Sequence, residues 1–180
     1  MPVLVTLSVR GADVLLIDDF ENPNGLSRLG TPWRLVTDGV MGGISRGSTS
    51  LEAVAGRRAL CLRGDVRLEN NGGFVQVALD LSVTGDFDAS AYTGIRLIAR
   101  GNDETYNLHL KSADVRFPWQ SYRSTFLAVP EWREIRLPFE GFEPHRLELP
   151  LDRARLRRLG LVAIGRAFAA DVCVGQVGFY

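Results

Sequence analysis

Two imidazoles (His109 and His145), two thiols (Cys61 and Cys173) and the carboxylates Asp18, Asp19 and Glu21 are the side chains best suited to chemistry. Nucleophilic catalysis needs a base beside the nucleophile and a third group to orient that base. No serine stands in a Gly-x-Ser-x-Gly turn, and Ser45 follows Gly43-Ile44 but precedes Arg46. The cysteines sit in the apolar runs Ala59-Leu-Cys-Leu62 and Val172-Cys-Val174 and read as small packed hydrophobes, with a mutual bridge as the minor alternative. Two are too few for a secreted disulfide framework, so a reducing compartment is expected. Paired carboxylates serve glycoside hydrolysis, but neighbours in a strand face opposite ways, which separates Asp18 from Asp19. Asp19 and Glu21 can share a face. A strand-end turn, solvent exposure, or a structural calcium completed by further oxygens is the use left to them. No other cofactor is indicated. The isolated His and Cys residues lack zinc spacing, and Gly39-Val-Met-Gly-Gly43 has no Walker lysine.

These readings favour binding without catalysis, with an enzyme using Asp19, Glu21 or His109 as the minor alternative. Formal net charge is zero, which argues against nucleic acid because phosphate binding needs a basic excess. The N-terminal ten residues are apolar without a basic leader region, a poor signal peptide. No run approaches the ~18 apolar residues that span a bilayer, so no membrane anchor is expected and the location reads as cytoplasmic. Six aromatics, Trp33, Trp119, Trp132, Tyr92, Tyr106 and Tyr122, are enough for a sugar or peptide platform. At least two of the three tryptophans are expected to be structural. Trp119 stands apart because Phe117-Pro-Trp-Gln120 reads as a loop, where an aromatic can be exposed.

Such groups must be held by strands. Val3–Val9, Val14–Phe20, Ala59–Arg63, Phe74–Leu81, Thr93–Arg100, Tyr106–Lys111, Tyr122–Leu127, Trp132–Leu137, Leu161–Ile164 and Asp171–Tyr180 are short, β-branched or aromatic, and punctuated by turn residues. That pattern predicts an all-β sandwich or barrel. At 180 residues, with 46% apolar and 23% charged residues, the chain reads as a single domain over 1–180. One short helix, or a single turn, is expected near 152–159, N-capped by Asp152 and closed by Gly160. Period-2 geometry turns Tyr106, Leu108 and Leu110 inward and Asn107, His109 and Lys111 outward. It likewise turns Arg96, Glu134 and Arg136 outward. If these strands are neighbours, they form one polar surface, either a solvated face or a ligand groove.

Two segments carry a more specific signal. Trp33 leads to Asp38-Gly-Val-Met-Gly-Gly43 and Ser45, and Glu69-Asn-Asn-Gly-Gly-Phe74 follows. Each sets paired glycines beside a run that reads as strand. Together with Asp18-Asp-Phe20, Tyr92-Thr-Gly-Ile95, Leu137-Pro-Phe139 and Val177-Gly-Phe-Tyr180, they resemble the NADH:ubiquinone oxidoreductase (complex I) intermediate-associated protein 30 family over about residues 15–180. The resemblance implies a galactose-binding-like jelly roll of two antiparallel sheets. It implies no catalytic set, and assembly or chaperone-like engagement of a protein client such as a respiratory-complex subunit. The Asp-Asp-Phe-Glu opening also resembles jelly-roll carbohydrate-binding modules, where such residues can hold calcium. A glycan is therefore the alternative ligand, with Trp119, Tyr122 and His109 as contacts. Asp38, Met41, Gly42, Gly43, Asn70 and Asn71 are the candidate loop contacts. They read equally as braces that hold the sandwich through Asx turns.

Overall fold

Alternating apolar residues build two facing layers. The computed structural model describes residues 14–180, so the strand expected at Val3–Val9 lies outside the described residues. Twelve strands follow: β1 Leu15–Asp18, β2 Trp33–Thr37, β3 Arg46–Val54, β4 Arg57–Val66, β5 Phe74–Asp80 and β6 Gly94–Gly101. β7 Glu104–Ser112, β8 Ser121–Ala128, β9 Arg133–Pro138, β10 Glu143–His145, β11 Leu156–Ile164 and β12 Phe168–Phe179 complete the set. The first sheet runs β3-β4-β12-β6-β9, with β1 paired to the end of β12; the second runs β10-β8-β7-β11-β5-β2. All pairings are antiparallel. This is the expected jelly-roll sandwich.

The inward positions meet in one core. Ile95, Leu97 and Ala99 of β6 and Val172, Val174, Val177 and Phe179 of β12 face Val75, Val77 and Leu79 of β5. Tyr106, Leu108 and Leu110 of β7 and Leu159 and Leu161 of β11 complete that layer. Each fully buried large side chain stabilises the fold by about 1.5–3 kcal/mol, so one register slip would expose a whole row.

Several expectations change. Asp152 does cap a turn, accepting from the Ala154 N–H, but the 3-10 turn ends at Arg155 and β11 begins at Leu156. Gly160 therefore lies inside a strand rather than after a helix. Pairing of Leu156–Arg158 with Ser112 and Lys111 supplies ladder hydrogen bonds that override a weak helical pattern. The outward faces are assigned correctly, but Arg96, Glu134 and Arg136 lie on β6 and β9 of the first sheet, while His109 and Lys111 lie on β7 of the second. One shared polar surface does not form.

The cysteines also differ from expectation. Cys173 stands directly opposite Cys61 in the β12–β4 ladder, Cα atoms 4.0 Å apart, and the two form a disulfide. Ala59, Val54 and Trp132 pack around it on the outer face of the first sheet. Distant sequence positions had hidden a cross-strand pair. The cysteines thus give no support to a reducing compartment. Among the described residues no helix is long and apolar enough to cross a membrane.

Candidate functional site

The outward residues of the second sheet make a floor. Along one row, Ala78 of β5 stands opposite Gly160 of β11, Gly160 opposite His109 of β7, and His109 opposite Arg123 of β8. The next rows add Asp80, Arg158 and Lys111 on one side and Gln76 and Val162 on the other. Ala78 and Gly160 leave the middle of the floor low. The space above Gly160 is taken by the Gln76 amide, since a Cβ there would lie 2.4 Å from its Oε1. Walls rise on both sides of this dip and enclose a groove of about 530 Å³.

One wall is the pair of glycine-bearing loops, and Asp38 joins them. Its side chain is fully buried. Oδ1 accepts from the Ser45 N–H at 3.0 Å, and Oδ2 accepts from the Ser45 hydroxyl and from the N–H groups of Gly73 (2.6 Å) and Phe74 (3.4 Å). Ser45 Oγ in turn accepts from the Arg67 N–H at 2.9 Å. Burial raises the Asp38 pKa, but the hydrogen bonds from Ser45, Gly73 and Phe74 outweigh it and hold the carboxyl below its ordinary value. Close approach requires glycine at two places. A Cβ on Gly43 would lie 2.4 Å from Asp38 Cγ, and one on Gly72 would lie 2.5 Å from Oδ2. Both loops are thus tied to one carboxylate, which lifts Val40, Met41 and Leu68 into solvent at 76%, 53% and 50% exposure.

The other wall is the loop before β8. The Gln120 carboxamide oxygen accepts from the N–H groups of Arg116 and Phe117, and its Nε2 donates to the Arg146 carbonyl. Lys111 Nζ donates to the Pro118 carbonyl at 2.8 Å. Trp119 stacks on Phe117 with centroids 4.9 Å apart, and both remain about half exposed.

The groove gathers only part of the expected set. Met41, His109 and Trp119 line it. Gly42 and Gly43 lie beside it in the Asp38 loop. Asn70 and Asn71 are exposed at the tip of the second loop, both with left-handed backbone (φ 59° and 57°). Asp38 is sealed beneath the wall and braces it. Tyr122 faces the core, fully buried, its hydroxyl donating to the Pro150 carbonyl, so it is not a contact. Strand parity explains this: Tyr122 is opposite the inward Leu110. Trp33 and Trp132 are structural, their indole N–H groups donating to Asp18 and to the Val54 carbonyl.

Burial of His109 was not expected. It is outward but only 7% exposed, because the walls and neighbouring side chains cover it. Burial first, then the charges of Arg123, Lys111 and His145, push its pKa down to about 3. A neutral imidazole with no carboxylate to orient it is not the base of a triad. Asp19, a calcium candidate, accepts from Arg28 Nε and Nη2 at 3.3 and 2.7 Å, and Glu21 is exposed at the same turn. Among the described residues no three His, Cys, Asp or Glu side chains cluster as a metal site. The floor residues that sequence reasoning left out are Gln76, Arg123 and Arg158. Alternation of Ser121, Arg123 and Thr125 against Tyr122 was the available signal for Arg123.

Comparison with known proteins agrees with this architecture. Residues 19–171 match the family described as complex I intermediate-associated protein 30. No curated protein matches the chain significantly. Among solved structures, the family 11 carbohydrate-binding module of a Clostridium thermocellum cellulosomal cellulase is similar, with TM-score 0.73 and 14% identity, covering 94% of this chain and 95% of that one. The Clostridium thermocellum family 11 module in complex with a β-1,3-1,4-mixed-linked tetrasaccharide gives TM-score 0.71 at 14% identity, covering 92% and 94%. A family 30 carbohydrate-binding module gives TM-score 0.57 at 12% identity, covering 74% and 72%.

Proposed function

The chain belongs to the complex I intermediate-associated protein 30 family, and from that premise we propose that it is a non-catalytic binding domain whose groove holds a segment of a client protein. The family description makes a respiratory-complex subunit the first client to test. The observation that carries this reading is the groove rim. Val40, Met41 and Leu68 are exposed aliphatic side chains held on a loop pair with a buried anchor. Neighbouring exposed apolar side chains mark protein-binding surfaces, and flexible methionine adapts to varied partners. A braced wall loses little entropy when it is covered. No nucleophile, base and orienting group converge in the groove, which supports binding rather than catalysis.

A glycan is the second reading. A family 11 module of similar fold was solved with a mixed-linked tetrasaccharide, and Trp119 offers one exposed ring face. Sugar platforms rely on such rings; here one ring is set against three aliphatic side chains, which favours peptide. The Cys61–Cys173 bridge weighs against a reducing cytoplasm as the place of action.

Crosslinking in the native host separates the readings. The full chain is expected to capture a reproducible protein partner, and Met41→Ser with Trp119→Ser to lose it without loss of fold. Capture unaffected by those changes, or tight binding of a mixed-linked β-glucan tetrasaccharide at the same face, would overturn the client reading.

A further inference from the structure

Among the described residues no carboxylate lines the groove, Asp80 lying on the floor outside it, although three cations do: Lys111, Arg123 and Arg158. Arg158 is matched, since its Nε donates to Asp80, and Asp80 also pairs Arg34. Lys111 and Arg123 differ. Among the described residues neither forms an ion pair. Lys111 Nζ reaches only the Pro118 carbonyl, and Arg123 Nε reaches only Ser121 Oγ at 2.9 Å. Glu143 stands opposite Arg123 in the β10–β8 ladder but makes no ion pair with it. Most donors of both side chains are therefore unused among the described residues.

Leaving like charges together at a half-buried site costs stability. Burial and the neighbouring cations Arg158 and Arg123 lower the pKa of Lys111, and burial and Arg146 lower that of Arg123. The site is thus destabilised by its own charge, and an anion would relieve it. Lys111 is also the single lysine of the chain. It is a diagonal neighbour of Arg123: His109 stands opposite Arg123, and Lys111 lies two residues further along β7. Such neighbours are about 7–8 Å apart, close enough for two long side chains to converge on one carboxylate.

We propose that the groove selects an acidic segment of its client, seating a client carboxylate between the Lys111 ammonium and the Arg123 guanidinium. The proposal rests on the client-binding reading and names the chemistry that reading lacks. Aliphatic client residues cover Val40, Met41 and Leu68, while an Asp or Glu side chain points to the floor. Charge-assisted bonds of this kind are stronger than neutral ones and discriminate acid from amide.

The test titrates the full chain with a capped hexapeptide, Leu-Glu-Ala-Leu-Glu-Ala, its Gln-for-Glu twin, and trigalacturonate. The acidic peptide is expected to bind about tenfold or more tighter than its twin, with a preference that shrinks as salt is raised. Arg123→Gln and Lys111→Gln should bring the two peptides to parity, and Arg123→Lys should restore part of the difference. Equal binding of the twins, or a preference that survives both Gln variants, overturns the carboxylate seat. The groove reading then still stands if Met41→Ser with Trp119→Ser weakens both peptides. Trigalacturonate binding in place of the acidic peptide overturns the proposal in favour of an acidic glycan. Binding of neither peptide at millimolar concentration overturns it as well.

Discussion

The two outer faces of the sandwich are both polar, yet they dispose of their charges differently. On the first sheet Arg63 is held by Glu52 and Asp171, and Arg96 and Arg136 share Glu134. Arg57 and Arg100 lie over the Trp132 ring, above the disulfide. On the second sheet, among the described residues, Lys111 and Arg123 form no ion pair, and both lie half-buried in the groove. The period-2 pattern that assigned residues to faces is the same on both. The difference teaches that exposure does not distinguish the two faces; what sets the proposed site apart is unmatched charge inside a shaped recess.

Removing the anchor of the wall should break that contrast most strongly. Asp38→Ala strands the N–H groups of Ser45, Gly73 and Phe74 and the Ser45 hydroxyl. Each abandoned buried partner costs about 1–3 kcal/mol. With four such partners, a total loss of at least about 4 kcal/mol is expected in urea unfolding, together with loss of groove binding. Because the carboxyl pKa is lowered in the fold, its contribution is present above the ordinary carboxylate range and fades as pH falls below about 4.

On the opposite face the matching test is the disulfide. Cys61→Ala with Cys173→Ala should cost about 2–4 kcal/mol, because the bridge closes a long loop, with a sequence separation of 112. Peptide binding in the groove should be unchanged. Binding that falls with the bridge would mean that the faces are not independent.

What the sequence made legible follows from the same physics. The central strands β5, β6, β7, β8, β11 and β12 bury one or both faces, so their composition is unambiguous. β3, in Arg46–Val54, and β10, in Glu143–His145, carry no such signal because they are edge strands that stay half-exposed and polar. The paired glycines announced shaped loops, but their common cause, Asp38, could be seen only once Gly43 and Gly72 were found against its carboxylate. The charge imbalance on the floor was illegible because ion pairs on both faces, such as Arg158 with Asp80, link residues far apart in the chain. Lys111 and Arg123 looked like any other outward cations.

A smaller effect should come from the floor itself. His109 is neutral in the fold with its pKa near 3, while the unfolded imidazole titrates near 6.5. The unfolded chain therefore binds more protons between those values, and stability is lost as pH falls below 6.5. On the order of 2 kcal/mol should disappear between pH 6.5 and 5, a loss that His109→Asn should largely remove, leaving the part that the lowered pKa of His145 contributes. A urea midpoint equally pH-dependent in that variant would mean the proton goes elsewhere.

The smallest stability effect separates the faces most sharply. Arg96→Gln removes a cation that Glu134 and Gln176 already engage. The Arg96 side chain is largely covered while Glu134 stays open to solvent, so a modest loss of melting temperature is expected, and no change in peptide binding. Arg123→Gln removes a cation that is flanked by Lys111, Arg146 and a neutral His109 and stands opposite Glu143 without an ion pair to it. Relief of repulsion should leave the melting temperature unchanged or raise it slightly, while acidic-peptide binding falls. Stability and binding would then move in opposite directions on one face and not on the other, as expected where a recess is kept strained for a ligand. If Arg123→Gln instead destabilises as a matched arginine would, the two faces are alike and the imbalance on the floor has no functional meaning.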